Sequence, residues 1–110
     1  MKVAVAVSTP GLEANVEPRF GRCACFVVVD TETMEFETLD NPGALAGTGA
    51  GIAAAQVIAD AGAEAVVAGT LGPNALQALK SGGLTIYEAA GGTVREAAQA
   101  AAAGELQTIT

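Results

Sequence analysis

The hydrophobic pattern starts with an alternation that is typical of a central β-strand. Over residues 2–8, Val3, Val5 and Val7 share one face and alanines occupy much of the other. Side chains of an extended segment point alternately to the two faces of a sheet, so a strand that is apolar on both faces is covered on both sides. We therefore predict that this strand lies inside a sheet with helices on each face.

Two more strands are predicted after it, joined by a short turn. The first follows the two cysteines through the apolar run 26–29 and ends at Asp30. The second covers residues 34–39, where apolar side chains alternate with glutamates. Only residues 31–33 separate the two strands, and so short a connection indicates an antiparallel hairpin.

The second half of the chain changes between helical and strand patterns, with glycine or proline near the boundaries. The predicted elements are a helix over residues 51–61, a strand over 65–68, a helix from Pro73 to Gly82, a strand over 84–87 and a helix from Val94 to about Gly104. Three strands followed by αβαβα require a mixed sheet, with right-handed crossovers that place helices on both faces. We predict an α/β fold: a three-layer α/β/α sandwich around a five-stranded mixed sheet. Residues 1–104 should form a single domain, with residues 105–110 as a C-terminal tail.

The charge balance limits the partners that this domain can bind. The sequence has 12 acidic and 5 basic residues, which give a net charge of −7. Such a field disfavours binding to nucleic acid and to anionic membranes. No run of about 18 apolar residues is present, and the chain opens on a strand pattern where a signal peptide would stand. We expect a cytoplasmic protein that is a monomer or a weak homodimer.

The chain contains no histidine, and this excludes several kinds of site. Ser–His–Asp and Cys–His nucleophile systems cannot be built, nor can zinc sites that use imidazole ligands. The two cysteines of one chain are too few for a closed Cys₄ zinc site. In a reducing compartment they should stay reduced, so metal binding or redox chemistry is favoured over a structural disulfide.

The candidate chemistry is concentrated in residues 19–26, which contain both cysteines. If the second strand already begins at Cys23, its sulfur and that of Cys25 point to the same face, with backbones about 6–7 Å apart. This spacing is unfavourable for a disulfide and suits a soft metal or a metal–sulfur species. The alternative is that both residues are small core side chains, and spacing alone does not decide between the two. We expect Cys23 to be the more accessible thiol and Cys25 to be partly in the core.

Arg19 and Arg22 flank these cysteines in an otherwise acidic chain. A nearby guanidinium lowers the pKa of a thiol and so favours the thiolate, which is the form that binds metal. The alternative is a surface ion pair with Glu13 or Glu17. Because cations gather beside the two sulfurs, we favour a role in ligand binding.

Three predicted helices begin after glycines, and their first N–H groups are potential anion donors. These helix ends lie at Gly49 and Gly51, at Gly72, and before Thr93. The first is not a dinucleotide loop, because about seven irregular residues separate it from the preceding strand. Thr93 is most simply a helix cap. Arg95 places a cation at a helix N-terminus, where the helix dipole disfavours positive charge. This unfavourable position indicates a functional role for Arg95.

Four groups of residues, taken in this order, form a recognisable set. They are Phe20-Gly21-Arg22-Cys23 before a strand ending in Asp30, Asn41-Pro42 with the glycine loop, Ala68-Gly69 with Gly72-Pro73-Asn74-Ala75-Leu76, and Gly92-Thr93-Val94-Arg95-Glu96-Ala97. The set resembles the dinitrogenase iron–molybdenum cofactor biosynthesis family over nearly the whole chain. This resemblance implies a ribonuclease-H-like α/β fold that carries a metal–sulfur cluster, either an iron–molybdenum or a molybdenum–copper sulfide. It also implies metallocluster assembly or acceptor proteins as partners.

The sequence departs from this family at the positions of its histidines. Many members carry histidine before the phenylalanine and in the glycine loop, where this chain has Arg19 and the histidine-free residues 44–51. An anionic cluster that brings its own sulfides would still fit arginines, backbone N–H groups and one or two thiolates. The candidate cofactor-binding residues are Arg19, Phe20, Gly21, Arg22, Gly49, Gly51, Thr93 and Arg95, and the candidate metal ligands are Cys23 and Cys25.

Two other functions stay open from the sequence. The first is a non-catalytic scaffold or regulatory domain that acts through protein contacts without bound metal. The second is a small redox enzyme that uses Cys23 and Cys25 as a reversible thiol pair, against which the unfavourable disulfide geometry stands. The carrier is the leading hypothesis, and we do not expect an enzyme.

Overall fold

The computed structural model describes residues 1–17, 19–20, 23–41, 50–69, 71–88 and 92–108. Within these ranges it contains five strands and three helices. They are β1 (Lys2–Val7), β2 (Cys25–Asp30), β3 (Phe36–Asp40), α1 (Ala50–Asp60), β4 (Ala65–Ala68), α2 (Pro73–Ser81), β5 (Thr85–Glu88) and α3 (Val94–Ala102). The predicted order of elements is confirmed, and the boundaries differ from the predicted ones by at most two residues.

The five strands form one mixed sheet, as predicted, in the order β3-β2-β1-β4-β5. Strand β2 is antiparallel to both of its neighbours, while β1, β4 and β5 are mutually parallel. Strands β1, β3, β4 and β5 therefore all end at one edge of the sheet, which we call the carboxyl edge. Helices α2 and α3 begin at this edge, because each follows a strand that ends there.

Alternating side chains build a separate apolar layer on each face of the sheet. One layer contains Ile58 of α1 and Leu79 of α2, and these two helices also pack against each other. The other layer contains Val94 and three alanines of α3. Residue-by-residue alternation in β1 and β2 supplies both layers, which explains why these strands are apolar throughout. We call the two faces the α1/α2 side and the α3 side.

The chain beyond α3 returns to the sheet at β5. The Glu88 N–H donates a hydrogen bond to the Gln107 carbonyl at 2.8 Å, and Tyr87 forms an isolated bridge with Thr108. Leu106 packs against the layer on the α3 side. This segment therefore lies along the outer edge of β5. Among the described helices, none is long and apolar enough to span a bilayer.

Candidate functional site

The two cysteines lie on opposite faces of the sheet. Strand β2 begins at Cys25, whose side chain belongs to the layer on the α3 side. Cys23 precedes the strand and belongs to the layer on the α1/α2 side, together with Phe20 and Phe26. The prediction that both sulfurs share one face is therefore wrong. The expected order of exposure is also wrong, since Cys23 is 0% exposed and Cys25 is 6% exposed.

A buried asparagine contacts the chain at the point where the alternation breaks before β2. Asn41 is 6% exposed and follows the last residue of β3. Its backbone N–H donates to the Ala24 carbonyl at 3.2 Å, and its side-chain Nδ2 donates to the Cys23 carbonyl at 2.8 Å. Nδ2 also lies 3.6 Å from the Cys23 sulfur. The backbone at Cys23 is thus held by a side chain, and the chain bends at Ala24 before the regular strand begins.

The surroundings of Cys23 favour a neutral thiol when no metal is bound. Burial raises the pKa of this thiol to about 12, and the nearby Cys25 and Glu17 also raise it. The hydrogen bonds from Asn41 and from the Val7 N–H act in the opposite direction but do not offset the burial. Burial and the charge of Asp40 likewise raise the pKa of Cys25. Both cysteines are free thiols, and burial is the main reason why the pKa of each is raised. Arg22 lies outside the described residues, so the lowering of the thiol pKa that we expect from it stays a prediction.

Arg19 forms a surface ion pair with Glu17, which the sequence analysis gave as the alternative to a role in ligand binding. Its Nε lies 3.2 Å from Glu17 Oε1, and its backbone N–H donates to the same oxygen at 3.2 Å. The Ser8 hydroxyl donates to Glu17 Oε2 at 3.0 Å. The pKa of Glu17 is lowered, mainly by the N–H of Arg19. The Arg19 side chain remains 71% exposed, so most of its guanidinium is still accessible to an anion.

Phe20 has a packing role in the structure. It is 0% exposed, and its ring centroid lies 5.3 Å from that of Phe26 at a tilt of 44°. This geometry is a favourable aromatic pair inside the layer on the α1/α2 side. Phe20 therefore supports the loop that carries Cys23, and its ring is shielded from solvent.

The N-terminus of α3 is closed by its own side chains. The Thr93 N–H donates to Glu96 Oε1 at 3.0 Å, and the Glu96 N–H donates to Thr93 Oγ1 at 3.3 Å. This reciprocal pair is the capping box that the sequence predicts. The interpretation of Thr93 as a helix cap is confirmed, and its hydroxyl is occupied within the helix.

The segment between β1 and Arg19 takes the other donors at that helix end. The Val94 N–H donates to the Ala14 carbonyl at 2.9 Å, and the Arg95 N–H donates to the Leu12 carbonyl at 2.8 Å. The Arg95 Nε lies 2.6 Å from Glu13 Oε1, so this cation forms an ion pair within the protein. Every backbone N–H in the described first turn of α3 therefore already has a protein acceptor.

The N-terminus of α2 differs, because its first donors have no such partners. Gly72 precedes the helix without a side-chain cap, and Pro73 has no N–H. In the described part of the chain, the N–H groups of Asn74 and Ala75 have no hydrogen-bond acceptor. The first donors of α2 are therefore available, on the same side of the sheet as Cys23.

Three of the predicted site residues, Gly21, Arg22 and Gly49, lie outside the described residues. Gly51 lies in the first turn of α1. Within the described ranges, no group of three or more histidine, cysteine or acidic residues is arranged to hold a metal ion. The described part of the site therefore offers isolated donors, among which Cys23 is the thiol on the α1/α2 side.

Sequence and structure comparisons place this geometry in a known family. The model of the family described as dinitrogenase iron–molybdenum cofactor matches residues 1–104. The chain belongs to this family. An uncharacterized protein of Methanocaldococcus jannaschii is 32% identical over 92 residues, which cover 81% of this chain and 75% of that protein. The predicted family resemblance is confirmed.

Two proteins with solved structures share the fold closely. The apo form of the orange protein from Desulfovibrio gigas has a TM-score of 0.94 and 42% identity, covering 99% of this chain and 92% of that chain. A Thermotoga protein described as a candidate NifB, solved by NMR, has a TM-score of 0.83 and 34% identity, covering 97% of this chain and 91% of that chain. The name of the family to which this chain belongs connects it with the iron–molybdenum cofactor.

Asn41 is the residue of this site that the sequence analysis did not select. It appeared there only within the Asn41-Pro42 motif of the family resemblance, without an assigned role. A buried asparagine after an exposed strand was the available signal, but its partner Cys23 lies 18 positions earlier in the chain. No local pattern in the sequence reveals such a contact.

Proposed function

We propose that this protein carries an anionic metal–sulfur cluster, which it binds at the carboxyl edge on the α1/α2 side. Cys23 would supply a thiolate ligand, and the cargo would be exchanged with metallocluster assembly or acceptor proteins. The observation that carries this proposal is the contact between the Asn41 side chain and a buried sulfur. Asn41 Nδ2 lies 3.6 Å from Cys23 Sγ. A neutral thiol is a weak acceptor, whereas a metal-bound thiolate is stabilised by such donors.

The burial of Cys23 is compatible with this role because metal binding changes its charge balance. A lone thiolate in a dry environment is unfavourable, which is why the pKa is raised. A metal ion displaces the thiol proton and supplies the compensating positive charge. The thiol would therefore stay protonated until the cargo arrives. Because Cys23 is 0% exposed, uptake requires a local opening of the carboxyl edge.

The rest of the cargo surface would be held by donors that do not need to lose a proton. Arg19 is exposed, and the Asn74 and Ala75 N–H groups at the α2 N-terminus are available. Helix N-termini and guanidinium groups both favour negative charge. Gly21, Arg22, Gly49 and Gly51 stay in the proposed site through the family resemblance. We leave Thr93 and Arg95 out, because both are engaged in closing α3.

The cargo that we propose is an iron–molybdenum or molybdenum–copper sulfide cluster. The family name and the resemblance support this choice, and the acidic chain offers few other features that attract an anion. We also propose that residues 1–104 form one three-layer, ribonuclease-H-like α/β/α domain. Helices on both faces of the five-stranded sheet support this assignment.

Reconstitution tests the carrier function directly. The purified chain is mixed without oxygen with iron, molybdate, copper and sulfide, then separated from small molecules by gel filtration. We expect visible charge-transfer bands that elute with the protein, and none at that volume when the protein is omitted. A chain that stays colourless with every metal combination contradicts the proposed function.

The full burial of Cys23 also favours a second candidate function, a scaffold or regulatory domain without bound metal. In that case Cys23 is a core residue, and the paired Arg19 and Arg95 stabilise the surface. This candidate predicts a colourless chain that binds partner proteins equally well with and without metals. The reconstitution experiment therefore separates the two functions.

A further inference from the structure

We infer that Asn41 is a positioning residue, which directs Cys23 to the α1/α2 side and holds its sulfur there. The effect on cargo rests on the proposed function, whereas the effect on the thiol itself does not. Asn41 lies 18 positions from Cys23, outside the motif that contains the cysteine.

The first step of the inference is the direction of the Cys23 side chain. If β2 continued regularly to residue 23, Cys23 and Cys25 would lie on the same face. They lie in different layers, so the strand geometry must end between them. Asn41 acts at this point, because its backbone bonds to Ala24 and its side chain bonds to the Cys23 carbonyl.

The second step is the contact with the sulfur. The carboxamide nitrogen has two hydrogens, and it lies 2.8 Å from the Cys23 carbonyl oxygen and 3.6 Å from the Cys23 sulfur. One side chain therefore fixes both the backbone and the sulfur of the same residue. If the role of Asn41 were only to terminate strand β3, its hydrogen bonds to the backbone of Cys23 and Ala24 would be sufficient. The contact with the sulfur is what connects Asn41 to ligand binding.

The third step is burial. Asn41 is 6% exposed and Cys23 is 0% exposed, so water cannot easily replace a lost hydrogen bond between them. Removing the carboxamide leaves a buried carbonyl without this partner, and local opening of the segment around Cys23 becomes easier. Cys25 is held by the β2 ladder and lies in the other layer, so it should be little affected.

Site-specific alkylation tests this inference without any cargo. Asn41→Leu keeps a similar side-chain size but removes both donors, and the exposed Asn15 provides the control variant Asn15→Leu. Single-thiol chains made with Cys25→Ala or Cys23→Ala report on one sulfur at a time. Because a buried thiol reacts through local opening, Asn41→Leu should speed iodoacetamide labelling of Cys23 at least about tenfold, relative to labelling of Cys25. Equal changes at both cysteines, or none at Cys23, would overturn the positioning role.

A second measurement on a different variant covers the case in which Asn41→Leu does not fold. In ¹H–¹⁵N spectra of Cys23→Ala, the side-chain amide of Asn41 should shift, while those of Asn15 and Asn74 stay unchanged. An unshifted Asn41 amide contradicts the sulfur contact.

A double-mutant cycle connects the inference with cargo binding. Asn41→Leu should weaken cluster uptake in the otherwise unchanged chain and have no further effect once Cys23 is replaced by alanine. Additive losses contradict action through Cys23. If the unchanged chain takes up no cluster, the proposed function fails, and the labelling experiment still decides the role of Asn41.

Discussion

The two sides of the carboxyl edge use similar elements in different ways. On the α3 side, a capping box and the carbonyls of Leu12 and Ala14 occupy the donors of the helix N-terminus. On the α1/α2 side, the first donors of α2 have no acceptor in the described chain, and the buried Cys23 sulfur accepts a hydrogen bond from the Asn41 side chain. The α3 side is therefore built as a closed part of the fold.

This difference shows that a glycine-preceded helix N-terminus is not sufficient evidence for an anion site. The helices α2 and α3 both follow parallel strands and both begin at the same edge. What separates them is a distant segment that bonds to α3. Among the described residues, no such segment bonds to the first donors of α2, and Cys23 is buried on the same side of the sheet. For these two reasons we propose the site on the α1/α2 side.

Truncation of Phe20 should have the largest effect on stability. Phe20→Ala removes a fully buried ring that packs on Phe26, and such changes cost about 3–5 kcal/mol. Phe36 is 46% exposed on the edge strand, so Phe36→Ala is a matched control that should change stability by only about 0.5 kcal/mol. Urea unfolding of the two variants gives the comparison. Equal losses would show that Phe20 does not anchor the α1/α2 side.

The pH dependence of stability should reveal the buried thiol of Cys23. The unfolded thiol loses its proton near its ordinary pKa of 9.0, whereas the folded thiol keeps its proton until about pH 12. The folded state therefore binds more protons between these values, and the free energy of unfolding falls as pH rises above 9. Between pH 8 and pH 10, the unchanged chain should lose about 1 kcal/mol more than Cys23→Ala. Parallel pH profiles for the two proteins, measured by urea unfolding, argue against a buried neutral thiol.

Removal of the α3 cap should lower stability without affecting cargo. Thr93→Ala deletes the acceptor for the Glu96 N–H, and losses of this kind are typically about 1 kcal/mol. We propose that the α3 side has only a structural role. At temperatures where Thr93→Ala is still folded, its cluster uptake should therefore equal that of the unchanged chain. Weaker uptake by the folded variant would extend the site to the α3 side.

The smallest effects on stability are expected at the two ion-paired arginines. Arg19→Ala and Arg95→Ala each break an exposed pair, and such pairs contribute at most about 1 kcal/mol. Their effects on cargo should differ, since we propose that only Arg19 contacts the cluster. Competition of each variant with a chelator for bound cluster measures this difference. Equal affinities would remove Arg19 from the proposed site.

Local patterns predicted the order of the elements and the cap of α3 correctly. The alternation in β1, Pro73 at the start of α2 and the Thr93–Glu96 spacing all act within a few residues, so the sequence displays them directly. The mixed character of the five-stranded sheet followed from the number and order of the elements, whereas the order of the strands within it was not predicted. These features depend on backbone geometry and burial, which are strongly reflected in residue type.

The details of the site depended on contacts between distant residues. The direction of Cys23 is set with Asn41, which is 18 positions away, and Arg95 is paired with Glu13 across 82 positions. The sequence could therefore select Cys23 and Arg95, but it could not assign their partners. The accessibility of Cys23 was predicted wrongly for the same reason, because Phe20 and the helices of the α1/α2 side bury it.

The most direct test of the account compares the two cysteines in the same reconstitution. Cys23→Ala and Cys25→Ala remove one thiol each, from opposite sides of the sheet. With equal protein and the same mixture of iron, molybdate, copper and sulfide, Cys25→Ala should develop the charge-transfer bands of the unchanged chain. Cys23→Ala should lose most of them while remaining folded. Retention of the bands in Cys23→Ala, or their loss in folded Cys25→Ala alone, would contradict a cargo site on the α1/α2 side.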